Sequence, residues 1–534
     1  MTNPAGQLTP AVVLVADRTL SADYKVLFEG IFATMQTTQA PAWAMRRFFA
    51  PTMPTDRAGR AMAAPVGLRR VEASLLAGTA LTAGDVVCAT PESLPKLLGP
   101  WTKIVGVHSS DPLGEGMSNT TSSAFCKGPL YTRLWTDRMM DAIGAAKARW
   151  GFRVVGGGGG AWQWARRPEE ARRQGIDTVF EGFFEAAGPA LFESLLAGQA
   201  PPAGVREPTT AAEHIRPIRG ASLMGVVEMS RGCGNGCRYC TMAGKKMAHL
   251  PAETILADVA TNVAAGVRSV VSSSEDFFRY GGTTRQLNFD ALCGLLEQMR
   301  RIDGLRFMQI DHANISSVVQ LSVEQLREVR RLLTWSAPSK YLWVNLGAES
   351  ANGRLVEKMG RGKLGPFQAD EWDGMVRAAA ERLDEAGFFP VFSIILGLPG
   401  ETAADVARTR ELVRFLGERR AVIFPVFHEP LPTSRADGDE RFTVDRMRPD
   451  QLDLFRACYE INFQRVPKLF WDNQRAGGVS WAKRMVLQML GRMEVVMWRR
   501  RFVRLGRQIS SRAAPVGTMN PANAAEDAVR VPDA

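Results

Sequence analysis

Histidine is scarce in this chain and cysteine is odd in number: 534 residues include five histidines and seven cysteines. Scattered histidines argue against a histidine-rich metal site. An odd cysteine count in so long a chain argues against a disulfide scaffold. No long apolar run is present either. The most apolar stretch, FFPVFSIILGLPG at 388–400, is too short to span a bilayer and is broken by Pro390 and Pro399. It reads as a buried strand and the turn after it. No internal repeat is found. The start, MTNPAGQLTP, lacks a basic segment followed by an apolar one, so a cytoplasmic protein without a targeting segment is expected. Hydrophobic residues at 46% and charged residues at 23% are ordinary for a globular protein and exclude disorder as the main state.

What is present is a repeated alternation of strand and helix signals, hence an α/β fold. In the first 200 residues, strand candidates are AVVLVAD (11–17), DVVCAT (85–90), TKIVGVHSS (102–110), FRVVGG (152–157) and DTVFEG (177–182). Helical spacing at 23–35 and 133–151 separates them, so an open, Rossmann-like parallel sheet covered by helices is predicted over 1–200. Residues 201–218, rich in Pro and short polar side chains, read as a linker. A second series follows over 219–440, with strand candidates at 224–230, 267–274, 305–310, 341–347, 389–397 and 421–427. Six β/α units predict a barrel or partial barrel, whose chemistry sits at the C-terminal strand ends. From 441 to 510 only helices are expected, and 511–534 reads as a disordered tail.

The strongest local signal is RGCGNGCRYCTMAG, which spaces Cys233, Cys237 and Cys240 as C-x3-C-x2-C on the loop after the first strand of the second series. Thiolates are soft ligands for zinc or iron–sulfur clusters. A closed zinc site needs a fourth ligand, for which His249 is the nearby candidate. Three thiolates alone leave one iron of a 4Fe–4S cluster open to a substrate.

Over about 221–430 the sequence resembles the radical S-adenosylmethionine (SAM) enzymes. The resemblance implies that the three cysteines bind a 4Fe–4S cluster, that SAM chelates its open iron, and that an electron splits SAM to a 5′-deoxyadenosyl radical. It implies an electron donor such as flavodoxin or ferredoxin. Tyr239 would lie along the adenine. In SSSED (272–276), Ser274 and Glu275 would receive the SAM amino group, although two glycines are usual there. GAESANGRLVEKMGRG (347–362) resembles the segment near the SAM ribose and carboxylate, giving Glu349 and Ser350. ILGLPGET (395–402) resembles the segment that packs on adenine, and FPVFHEPLPTS (424–434) the sixth strand end. The chemistry agrees: a cationic ligand with an amino group needs a carboxylate, and a radical needs a closed site.

The amino-terminal part resembles the cobalamin-binding domain that precedes this core in one subfamily, through RVVGGGGGAWQWARRPEEARRQGIDTVFEGFFE (153–185). The resemblance implies that Gly156, Gly157 and Gly158 let backbone approach cobalamin, with His108 and Ser109 on a neighbouring strand-end loop. From the residues alone, His108 reads first as a hydrogen-bonded loop histidine, with a ligand role as the alternative. The D-x-H-x-x-G that supplies the lower axial histidine is absent, because VADRTLSADYKVLFEG follows the first strand. The resemblance implies C-methylation of an unactivated carbon through methylcobalamin, or alternatively cyclisation or carbon–carbon joining on a small-molecule or lipid substrate. A zinc-stabilised binding protein is the non-enzymatic alternative.

Much of the net charge of +11 is local to one end. Residues 481–508 form a basic amphipathic helix in which Met485, Met489, Met493, Val496 and Met497 recur near a helical period. A packing helix with a solvated basic face is expected. A helix lying on the inner face of an anionic membrane, or lining a substrate entrance, is the alternative. No nucleic-acid module is recognised.

Overall fold

A computed structural model describes residues 8–242, 244–336, 341–430 and 440–513, the side chains of Phe28 and Ala513 excepted. The amino-terminal domain is an all-parallel sheet of six strands: β1 (Val12–Ala16), β2 (Val86–Ala89), β3 (Ile104–His108), β4 (Arg153–Gly157), β5 (Thr178–Gly182) and β6 (Gly204–Glu207). Their order is β2-β1-β3-β4-β5-β6. The apolar runs follow from this topology, because a parallel sheet is covered on both faces. Val13, Val15, Val105 and Val107 pack with Met139, Ile143 and Trp164 on one side. Val12, Leu14 and Ile104 pack with Leu68, Leu75 and Phe192 on the other.

β6 corrects the expected linker. Residues 204–207 pair with β5 as a parallel edge strand. Only one side of an edge strand is covered, so GVRE carries no apolar run that would mark it.

The second domain starts with β7 (Val226–Glu228), followed by the short pair β8 (Ser230–Arg231) and β9 (Ala248–His249). The parallel series continues with β10 (Ser269–Ser273), β11 (Phe307–Gln309), β12 (His312–Ala313), β13 (Trp343–Glu349), β14 (Phe389–Leu396) and β15 (Val422–Phe427). Hydrogen bonding runs β7-β10-β11 and β12-β13-β14-β15. β11 and β12 are one barrel strand interrupted at Ile310 and Asp311. The result is a six-stranded partial barrel, left open between β7 and β15. Asn462, on the helix Pro449–Ala476, exchanges both amide hydrogen bonds with the backbone of Ile423, which satisfies the free edge of β15.

The two domains are locked by buried ion pairs. Arg70, on the helix Val66–Gly78, reaches across to Glu228 at 3.0 Å and to Asp258 at 2.5 Å. Arg231 joins Glu228 and Glu185. Burial opposes ionisation of Glu228, but Arg231 and Arg70 prevail and hold its carboxyl down to about 2.

Two long helices, Pro449–Ala476 and Trp481–Ala513, close the chain. The last one continues to residue 513, three residues into the expected tail, whose remainder lies outside the described residues. Among the described residues no helix is long and apolar enough to cross a membrane.

The expected packing face of this last helix is also corrected. Leu487, Trp498, Phe502, Leu505 and Ile509 are the buried side. Trp498 and Phe502 pack tilted or edge-on in a cluster with Phe455 and Tyr459. The methionine stripe lies on the opposite side and faces out.

Candidate active site

The cysteine loop is pinched at its base. β8 and β9 pair antiparallel, with Ser230 opposite His249 and Arg231 opposite Ala248, so residues 232–247 leave and return at one point. Gly232 makes this possible: its φ is +77°, and a Cβ there would lie 2.6 Å from the Lys246 carbonyl oxygen. The Cys233 amide donates to Lys245 O at 3.0 Å, and the Arg238 amide to Met359 O at 2.7 Å.

Cys233, Cys237 and Cys240 all line one cavity of about 1050 Å³ inside the barrel. Burial pushes the Cys233 thiol up and the Cys237 thiol to about 12, against the opposing pull of Arg279 and Lys363 respectively. Among the described residues, no group of three or more His, Cys, Asp or Glu is arranged as it stands to hold a metal ion. The donor chemistry of three soft thiols on one loop nevertheless fits an iron–sulfur site. His249 does not join them. Its Nε2 lies 3.0 Å from Gly282 O, and it does not line the cavity.

Opposite the loop, β13 ends in a bulge between Gly347 and Glu349. Glu349 takes φ +61°, a left-handed conformation costly for a side chain other than glycine. This turn aims its carboxylate into the cavity. The Tyr239 hydroxyl donates to Glu349 Oε1 at 2.9 Å, and the buried Lys363 ammonium pairs with the same oxygen. The backbone before Lys363 packs on the cysteine loop. A Cβ at Gly360 would lie 2.7 Å from Cys237 Sγ, so only glycine allows this approach.

Ser274 and Glu275 reach the cavity from the end of β10. Ser274 Oγ lies 2.5 Å from Ser230 Oγ. Glu275 Oε2 is buried without a hydrogen-bond partner, and burial pushes its carboxyl up to about 7. Tyr239, Ser274, Glu275 and Glu349 therefore share one cavity with the three cysteines. Ser350 does not. It follows the bulge, lies 3.3 Å from Thr409 Oγ1 and faces the helix Ala403–Gly417. The sixth-strand segment runs out of the described residues after 430.

Sequence reasoning missed several groups at the site, of which Asp311, His312 and Lys363 line the cavity while Arg279 backs the cysteine loop. Arg279, buried beside Asp276, donates to Cys233 O and to Asn235 Oδ1. Asp311 and His312 sit at the strand interruption, with His312 Nδ1 2.9 Å from Asp311 Oδ2. Asp311 raises the imidazole pKa, and Asn345 Nδ2 donates to Asp311 O at 2.9 Å. A usable signal existed only for Lys363, which directly follows the quoted 347–362 segment.

A second cavity, of about 560 Å³, lies where the strand ends of the amino-terminal sheet face the cysteine loop. His108, Gly157, Gly158 and Gly159 line it, together with Arg231, Thr241, Met242 and Lys245. Gly158 has φ +96°, and a Cβ there would lie 2.6 Å from Ser109 O. A Cβ at Gly159 would meet nothing within 4 Å, so one wall is bare backbone open to a flat group. Burial lowers the His108 imidazole to about 4, which keeps it neutral near pH 7. Gly156 does not line the cavity; it gives room to Trp164 and Ile176 within the core. Nor does Ser109, whose hydroxyl donates to buried Asp17 at 3.3 Å. The glycines that line the cavity leave backbone accessible to the flat face of a ligand. Met242 lines both cavities.

Residues 227–413 match the model of the Radical SAM superfamily. The chain carries a radical SAM domain. That family uses a 4Fe–4S cluster and SAM. Over 332 residues the chain is 25% identical to a tRNA-2-methylthio-N(6)-dimethylallyladenosine synthase of Ralstonia nicotianae, covering 61% of this chain and 68% of that protein. It is 30% identical to the ribosomal protein uS12 methylthiotransferase RimO of Salinispora arenicola, covering 53% and 52%. The RimO of Kineococcus radiotolerans is 27% identical, covering 51% of each. Apart from the Ralstonia nicotianae synthase, the chain spans about half the length of these relatives. Among solved structures, the radical SAM methyltransferase TsrM of Kitasatospora setae, with cobalamin and a [4Fe-4S] cluster bound, is 14% identical. It aligns with a TM-score of 0.48 over 78% of this chain and 75% of that one.

Proposed function

We propose that the chain is a cobalamin-dependent radical SAM enzyme that methylates an unactivated carbon. The observation that carries this reading is the pair of cavities at the strand ends of the two parallel sheets, joined by Met242 as a common wall residue. Cys233, Cys237 and Cys240 would hold the cluster, and the bare wall at Gly157–Gly159 would receive cobalamin. When bound, the cluster supplies the electron that splits SAM, and cobalamin carries a methyl group.

This chain's residues bind, orient and exclude water. Glu275 offers a carboxylate, unpaired on one oxygen, to the SAM ammonium. Lys363 and Tyr239 fix Glu349 so that one of its oxygens is held in place. Arg279 fixes the cysteine loop through Cys233 O and Asn235. The apolar patch of Tyr239, Met359, Ile395, Leu398 and Val426 keeps water from the same region. Asp311 and His312 form a polar pair where the substrate would lie.

Methylthio transfer is the second reading, favoured by the names of the sequence relatives. It requires a sulfur source. Among the described residues, no cysteine other than 233, 237 and 240 lines either cavity. Cys88 is buried in β2, and Cys126 accepts a hydrogen bond from Arg501 at 3.1 Å.

Anaerobic reconstitution tests the reading, with Cys233, Cys237 and Cys240 all changed to Ala as the control. About four irons and one cobalamin per chain are expected, with the iron lost in the control. Iron without cobalamin would falsify the methyl-transfer reading. Once a substrate is in hand, methylation gives S-adenosylhomocysteine and 5′-deoxyadenosine together. Cyclisation gives 5′-deoxyadenosine alone. Methylthiolation adds sulfur to the product mass.

A further inference from the structure

The helix Trp481–Ala513 carries two apolar stripes, and among the described residues only one is covered. On the outer side, Trp481, Met485, Met489, Met493 and Met497 follow one another at four-residue steps, each between 45% and 65% exposed. Residues at that spacing share one face of a helix. Val496 and Val503 are half exposed on the same face. Large exposed apolar residues scattered singly need no explanation, but a continuous line of them marks an interaction site.

The charge of this face selects the partner. Arg492, Arg500, Arg504 and Arg507 are exposed beside the stripe. The helix has one acidic residue, Glu494, which is turned inward and accepts a hydrogen bond from Gln36. Nine basic residues against that one give the helix eight of the chain's eleven net positive charges. An apolar line edged by arginines, with a tryptophan at one end, matches the boundary between anionic headgroups and acyl chains. The position of the helix agrees with this. Its first turn is tied to the helix Leu27–Met35 by Lys483 and Glu29 at 3.3 Å. Ile31 on that helix is 37% exposed and also lines the barrel cavity, as do Ala476 and Gly477. The apolar stripe thus begins beside residues that line the cavity.

We infer that the outer face of Trp481–Ala513 docks the protein on an anionic lipid surface.

Cosedimentation of the full chain with vesicles tests this. Phosphatidylglycerol–phosphatidylcholine vesicles should capture the protein, and pure phosphatidylcholine vesicles should capture about tenfold less. The triple variant Met489→Ser/Met493→Ser/Met497→Ser and the pair Arg500→Glu/Arg504→Glu should each lower capture by about tenfold, with helix content and iron content unchanged. No capture by anionic vesicles overturns the inference. So does capture that high salt abolishes and the serine variant leaves intact, since that is adsorption of a polycation. A dimer in solution that the serine variant dissociates also overturns it, because the stripe would then be covered by a second copy of the chain.

Discussion

The Tyr239 hydroxyl donates a 2.9 Å hydrogen bond to Glu349 Oε1, tying the cysteine loop to the bulge at the end of β13. The two residues are 110 positions apart in the chain, and both belong to segments the sequence marks separately. The bond makes the cluster loop and the proposed SAM site one unit. Changing Tyr239→Phe removes it without emptying the space. SAM should bind about tenfold more weakly, since a hydrogen bond to a charged group is worth about 1.5–3 kcal/mol. Iron content should stay at the wild-type level; loss of the cluster in this variant would instead assign Tyr239 to loop folding.

Glu275 gives SAM binding a pH dependence of definite sign. Its carboxyl is pushed up to about 7 by burial, so it is largely protonated at pH 6 and largely charged at pH 8. Only the charged form attracts an ammonium group. Affinity for SAM should therefore rise from pH 6 to pH 8 in the wild type. In Glu275→Gln it should be weaker throughout and flat over that range. An unchanged slope in the variant would place the titrating group elsewhere.

Lys363 neutralises Glu349 in a buried pair. Lys363→Met leaves that carboxylate without its cation, a change that typically costs about 3–5 kcal/mol. The variant should melt lower and lose most SAM binding. Lys363→Arg keeps the charge and should recover part of the stability.

Arg70 holds the two domains together through Glu228 and Asp258. Arg70→Ala leaves buried Asp258 without its cation and Glu228 with Arg231 alone, and should destabilise the chain by about 3–5 kcal/mol. The acid dependence follows from Glu228. Its folded pKa of about 2 lies below the ordinary 4.5, so its contribution is complete above about pH 4.5 and is lost as pH falls toward 2. Denaturant unfolding at pH 7, 4 and 3 should show a shallower acid loss in Arg70→Ala than in the wild type.

Gly158→Ala places a Cβ 2.6 Å from Ser109 O at a φ of +96°. The loop between β4 and the following helix must shift, at a cost of about 1–3 kcal/mol. Cobalamin uptake should fall while the iron–sulfur absorbance is retained. Full cobalamin occupancy in this variant would remove the glycine loop from the proposed binding site.

The sequence was informative wherever short-range chemistry decides the outcome. Apolar runs placed the strands of both sheets because a covered parallel strand has few alternatives, and GVRE at 204–207 escaped because an uncovered edge needs no such run. The spacing of Cys233, Cys237 and Cys240 stated the ligand type on its own, and the carboxylates Glu275 and Glu349 followed from the resemblance of their segments to the radical SAM enzymes. Long-range contacts decided the rest. Arg279, Asp311, His312 and Arg70 acquire their partners only when distant strands and domains meet. Ser350 turns away from the cavity to Thr409 on the helix Ala403–Gly417, a partner 59 positions away. Periodicity marked the last helix as amphipathic, but not which of its two apolar stripes, one rich in Leu, Ile and aromatics, the other in Met, would be covered. The fold buried Trp498 and Phe502 against Phe455 and Tyr459 and left the methionines in solvent, because only the first stripe has an aromatic surface facing it.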